Sequence, residues 1–142
     1  MALKYWKFLS VIALLSLIGT DRAEAQYSYF NFSGTEQLRT NDCRLPNLPR
    51  SISSRLQAQI LYPIVYIRDM QSGYLYPGGF SNRTTFYGSY SYPANGCTIT
   101  AAHKFYNLNT RRKNADVYSS IFRQCPGQRM CTVTYYGKLS YR

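Results

Sequence analysis

The chain has 142 residues, the length of one ordinary domain. Tyr supplies 15 residues and Phe 7, and 17 Lys and Arg outnumber 6 Asp and Glu for a net charge of +11. That much aromatic surface excludes a disordered tail. The scarcity of carboxylates argues against a Ca²⁺ or Mg²⁺ enzyme. A single His argues against a His-rich metal site or a two-His acid–base enzyme.

The chain opens with a short basic stretch carrying Lys4 and Lys7, followed by an apolar run over 8–18 broken only by Ser10 and Ser16. Ala23-Glu24-Ala25 then supplies a small-x-small cleavage pattern. This predicts a secretory signal peptide over 1–25, removed to leave residues 26–142 as one exported domain. The apolar run is about half of the roughly 20 residues a spanning helix needs. In the exported part the 17 basic and 6 acidic residues fall to 14 and 4, a net charge of +10. The expected location is secreted: extracellular, or periplasmic in a bacterium.

Residues 26–40 alternate Tyr27, Tyr29, Phe30 and Phe32 imperfectly with polar residues and read as a first strand or an unpaired arm. Residues 41–49 are turn-rich. Over 51–59 the spacing of Ile52, Leu56 and Ile60, with Ser51 or Ser53 as cap, predicts a short helix. Residues 62–69 read as a strand with Val65 and Ile67 on one side and Ile64, Tyr66 and Arg68 on the other. Residues 71–96 are punctuated by Gly and Pro and carry Tyr74, Tyr76, Phe80, Phe86, Tyr87, Tyr90 and Tyr92 between the breaks, the pattern of short strands and turns. Asn95-Gly96 is the strongest hairpin signal, and a strand follows from Cys97. Residues 109–114 form a polar, basic loop. Over 114–125, Asn114 as cap, Asp116 in the first turn and Val117, Ile121 and Phe122 on one face predict a second short helix. Residues 132–136 read as a strand. No internal repeat is present.

All four Cys lie in the exported part, and their even number predicts two disulfides. Four Cys allow three pairings. The Pro126-Gly127 turn favours a local Cys125–Cys131 bridge, which leaves Cys43–Cys97. Zinc is disfavoured because paired C-x₂-C elements are missing.

Read as one string, residues 97–133 resemble the galactose/rhamnose-binding lectin domain first known from sea-urchin egg lectin. Ile99, Ala102, Tyr106, Val117, Ile121, Cys125, Gly127, Gln128, Cys131 and Val133 follow the order of that family's strand, helix and C-x-G-K/Q-x-x-C-x-V motif. Asn107 stands where the family has Gly. The residues after Cys131 hold neither the Asp nor the Cys of the family's closing segment. The resemblance implies a β-sandwich with one α-helix, a local Cys125–Cys131 bridge and sugar binding at Tyr106. The expected fold is therefore mainly β: a compact, disulfide-bonded, β-sandwich-like domain with one or two short α-helices.

The functional expectation is a carbohydrate-binding, lectin-like module without catalysis or cofactor, with Tyr106, Lys104 and Asn107 as contact residues and His103 nearby. The partner would be a carbohydrate or glycoconjugate. The alternative is a cationic protein binding polyanions or membrane surfaces through Arg111, Arg112 and Lys113. The tyrosine-rich middle with Arg68 and Arg83 resembles a stacking platform for single strands, but without any nucleic-acid motif it reads as the aromatic face of a sheet. The carboxylates Glu36, Asp42, Asp69 and Asp116 show no glycosidase pairing, and no G-x-S-x-G elbow is present. Asn31 and Asn82 head N-glycosylation sequons.

Overall fold

In a computed structural model that describes residues 26–142, every regular element is a β-strand. The predicted leader over 1–25 lies outside the described residues. The strands are β1 (Ser28–Asn41), β2 (Ser51–Leu61), β3 (Ile64–Asp69), β4 (Leu75–Asn82), β5 (Thr85–Ala94), β6 (Cys97–Asn109), β7 (Asn114–Gln124) and β8 (Cys131–Tyr141). Each pairs antiparallel with the next, and β8 returns to pair with β1, so the sheet closes into an eight-stranded barrel.

This corrects two expectations. The sheet is one closed barrel and not a sandwich, and no helix occurs among the described residues. Residues 51–59 belong to β2 and 114–125 largely to β7. The four-residue spacings behind the helix readings are also multiples of two, so a strand places the same residues on one face. In β2 the inward row is Ile52, Ser54, Leu56, Ala58 and Ile60, with Ser54, Leu56 and Ala58 buried. In β7, Ala115 and Val117 are wholly buried.

Mainly polar residues face out: Asn31, Ser33, Thr35 and Gln37 on β1, and Ser53, Arg55, Gln57 and Gln59 on β2. On these two strands the outer face is polar, whereas that of a membrane-spanning barrel is apolar.

The two ends of the barrel differ. One end carries the start of β1, the end of β8 and the short turns after β2, β4 and β6. It is filled by Phe32, Phe86, Phe105, Leu139 and Tyr141. The Phe86 and Phe105 rings stack there at 4.5 Å, with Phe32 4.7 Å from Phe105. The other end carries the segments after β1, β3, β5 and β7. Asn95 and Gly96 both take positive φ in the β5–β6 hairpin turn, as the Asn-Gly signal requires.

Both disulfides sit at this second end, and their connectivity corrects the expected one. Cys43 bridges Cys131, and Cys97 bridges Cys125, with Cα separations of 5.0 and 4.2 Å. Cys97 opens β6 and Cys125 directly follows its partner strand β7, so strand register brings them together. Cys43, just past β1, meets the first residue of β8 in the same way. The local Cys125–Cys131 bridge, which rested on the Pro126-Gly127 turn, therefore does not form. The two disulfides fit an oxidising, extracellular environment.

Candidate functional site

The open half of the barrel is built around a buried carboxylate. Glu36, on the inward row of β1, is fully buried. Ser54 of β2 and Ser119 of β7 donate to the same oxygen, Oε1, at 2.6 and 2.9 Å. Its other oxygen, Oε2, has no partner among the described residues. Burial pushes the Glu36 carboxyl above its ordinary range, against the pull of the two serine hydroxyls. Ser119 also lies 2.8 Å from Nδ1 of His103 on β6. Because the Ser119 proton points to Glu36, Nδ1–H of His103 is the donor to Ser119, and Nε2 carries the lone pair. Burial lowers the His103 pKa to about 4, with Asp69 acting in the opposite direction, so the ring is neutral near pH 7. Tyr76 meets the His103 ring edge-on at 4.7 Å.

Above this network lie two adjoining pockets, an inner and an outer chamber of the open half. The inner chamber, about 210 Å³, is lined by Ile52, Asp69, Tyr76, Ala101, His103, Ser119, Ile121, Val133 and Tyr135 among others. The outer chamber, about 390 Å³, is lined by Tyr74, Tyr76, Tyr90, Tyr92, Ala101 and Ile121. The two share Tyr76, Ala101 and Ile121.

A glycine pair shapes the opening. β4 and β5 pair from Asn82↔Thr85, across a register shift at Ser81, up to Gly78↔Gly88 and no further. β5 continues to Ala94 paired only with β6. At the crossing, a Cβ on Gly78 would run into the Tyr87 carbonyl, and one on Gly88 into the Tyr76 carbonyl. Two strands approaching this closely must be bare of side chains there. Past the crossing the wall parts, and Tyr74, Tyr90 and Tyr92 stand at the gap, 62%, 45% and 41% exposed. Tyr74 and Tyr90 are nearly parallel, with an interplanar angle of 15° and centroids 6.5 Å apart.

The residues expected to bind sugar lie elsewhere. Tyr106, Lys104 and Asn107 are on the outer surface of β6, and the structure does bring them together. Lys104 Nζ sits 4.7 Å over the Tyr106 ring. Tyr106 meets Tyr118 of β7 edge-on at 5.5 Å, and Tyr118 lies 4.8 Å from Tyr136 of β8, which Arg39 of β1 covers at 5.1 Å. Beside this tyrosine row, Asn107 donates to Asp116 at 2.9 Å, Tyr136 donates to it at 3.1 Å and Lys138 pairs with it at 3.3 Å. The Asn107 bond, with Lys138 and Tyr136, holds the Asp116 carboxyl below its ordinary range against the effect of burial. Two shallow clefts flank the row.

Arg111, Arg112 and Lys113 are exposed in the β6–β7 turn at the filled end, where Asn109 caps the turn by accepting from the Arg111 and Arg112 amides. Asn31 and Asn82 are both exposed. His103, expected only as a flank to Tyr106, is instead inside the barrel. The internal site as a whole, Glu36, Ser54, Ser119 and His103 beneath Tyr76, was not found from sequence. Its one sequence signal is the interruption of apolar inward rows by Glu36, Ser54, His103 and Ser119, visible only once the strand register is known.

Fold and site together define a disulfide-braced, up-and-down antiparallel barrel, filled at one end and hollow at the other. The chain matches no protein-family model, no curated protein and no solved structure.

Proposed function

We propose that this is an exported binding protein without catalysis, which holds one small ligand in the open half of its barrel. An eight-stranded barrel has room inside for packed side chains or one small ligand, and this one divides its length between the two. The observation that carries the reading is the cavity. Its walls are apolar and aromatic, it opens through a gap in the wall, and a few convergent polar groups lie at its base, the usual anatomy of a ligand site. The Ser119–Glu36 bond speaks against a serine nucleophile. The hydroxyl proton is committed to the carboxylate, and His103 faces Ser119 as a donor, not as a base.

The test is fluorescence titration with 1-aminoanthracene, a neutral aromatic dye. The wild-type chain should bind it, while Ala101→Trp and Ile121→Trp, which fill the shared wall of the two chambers, should weaken binding at least tenfold. Equal binding by wild type and both variants would rule the cavity out as the site.

The outer tyrosine row supports a second reading, the carbohydrate-binding one. Its support is the convergence of Tyr106, Lys104 and Asn107 with Tyr118 and Tyr136 on one face. A glycan array at low and high salt tests it. Neutral-sugar binding lost in Tyr118→Ala and indifferent to salt favours a sugar site. Binding that fades with salt marks the charge attraction expected of a +10 chain.

A further inference from the structure

We infer that the cavity selects an organic cation, a small ammonium carried on an aromatic or aliphatic body. This rests on the cavity being the ligand site and names the chemistry of what enters it.

The described residues contain a single salt bridge, Lys138–Asp116, on the outer surface. Asp69 lines the inner chamber and has no cationic partner, although the exported part carries 14 basic side chains. Its Oδ1 accepts from the Gln71 and Ser72 amides, and among the described residues no hydrogen bond or ion pair engages Oδ2. Glu36 lies behind the chamber wall, also without a cation. Neither chamber is lined by Lys or Arg. Arg123 lies one inward position beyond Ile121 toward the rim, outside both linings. The basic charge of the chain is thus carried outside the cavity, and Asp69, the carboxylate that lines it, is left uncompensated. An anion entering there meets Asp69 and no counter-charge.

The wall of the outer chamber also favours a cation. Four tyrosine rings surround the outer chamber, and the negative faces of such rings attract an ammonium. Tyr74 and Tyr90 present nearly parallel faces, and Tyr92 lies beside Tyr90 at 5.9 Å with an interplanar angle of 26°. A cation seated among these rings has Asp69 below it in the adjoining chamber. A neutral body gains the same apolar contact but neither electrostatic contribution.

The experiment is displacement of 1-aminoanthracene by three aryl probes of similar shape: phenyltrimethylammonium, its neutral isostere tert-butylbenzene, and benzenesulfonate. The cation should displace the dye at about one-tenth the concentration of the neutral isostere, with benzenesulfonate weakest. Asp69→Asn keeps the Oδ1 acceptor of the turn. It should reduce the advantage of the cation severalfold and leave the neutral probe unchanged. Tyr90→Leu, at an exposed position, should reduce the same advantage independently. Equal potency of cation and neutral isostere overturns the inference and leaves the cavity as the binding site. Failure of the dye itself to bind wild type overturns the cavity reading and the inference with it.

Discussion

Ser119 reaches Glu36 at 2.9 Å although their strands are not neighbours. β8 runs between them, and the residue of β8 at that level is Gly137, opposite Val117 of β7 and next to Glu36 of β1. A Cβ on Gly137 would strike the Thr35 carbonyl and lie 3.0 Å from both Cα and Cγ of Glu36. The bare glycine lets the carboxylate cross β8 to its partner.

Gly137→Ala should therefore be much more disruptive than an ordinary Gly→Ala change in a strand. The added methyl meets backbone, which cannot rotate away, so a loss of about 2–4 kcal/mol in denaturant unfolding is expected. A stability equal to wild type would show that Glu36 does not depend on this crossing.

Glu36 makes stability depend on pH with a definite sign. Its carboxyl is raised above 4.5 in the folded state, so the protonated form is the one the fold favours. That contribution is complete below the unfolded value and is lost as pH rises through the folded one. Glu36→Gln keeps an oxygen for Ser54 and Ser119 and removes the ionisation. It should be more stable than wild type at pH 8, by about 1–3 kcal/mol, and nearly equal to it at pH 4. A variant less stable than wild type at pH 8 would contradict this placement of the carboxylate.

His103 works in the opposite sense. Its folded pKa is lowered from 6.5 to about 4, so the unfolded chain takes up the proton first as pH falls. Stability should decline from pH 6.5 to pH 4, by about 3 kcal/mol at most. His103→Asn should flatten that limb in thermal unfolding scans, and an unchanged slope would place the titration elsewhere.

The residues explain which parts of this fold were legible in the sequence. β3 was readable because Val65 and Ile67 alternate cleanly with Ile64, Tyr66 and Arg68, and the β5–β6 turn because Asn95-Gly96 fits one turn geometry. β2 and β7 carry a helical signal because Ile52, Leu56 and Ile60, and Val117 and Ile121, recur at a spacing that fits helix and strand alike. Ser54 and Ser119 occupy inward positions where an apolar residue would have completed a period-two pattern. With those positions polar, the period-two runs are cut to Leu56-Ala58-Ile60 and Ala115-Val117, too short to outweigh the four-residue spacings. The serines are polar because they hold Glu36, so the buried polar network itself obscures the strands. Barrel closure was invisible because it depends on β1 meeting β8, a pairing about a hundred residues apart in sequence with no local signal.

The disulfides have a connectivity that peptide mapping can check. Proteolysis without reduction should release Cys43 joined to Cys131 and Cys97 joined to Cys125. They span 88 and 28 residues, and each should contribute about 4 kcal/mol through the unfolded chain. Because both brace the hollow end, the Cys97→Ser/Cys125→Ser double variant should lose dye binding at temperatures where its strand signal persists. Simultaneous loss of the two would show that the open end has no separate dependence on the bridge.

The central claim is that a ligand sits inside the open half of the barrel. Amide chemical-shift mapping during titration of the isotopically labelled chain with 1-aminoanthracene tests it most directly. The expected result is saturable shifts at Tyr76, Ala101, His103, Ser119 and Ile121, with Tyr106, Tyr118 and Tyr136 unmoved. Shifts confined to those three outer tyrosines and their neighbours, with the internal residues silent, would contradict it.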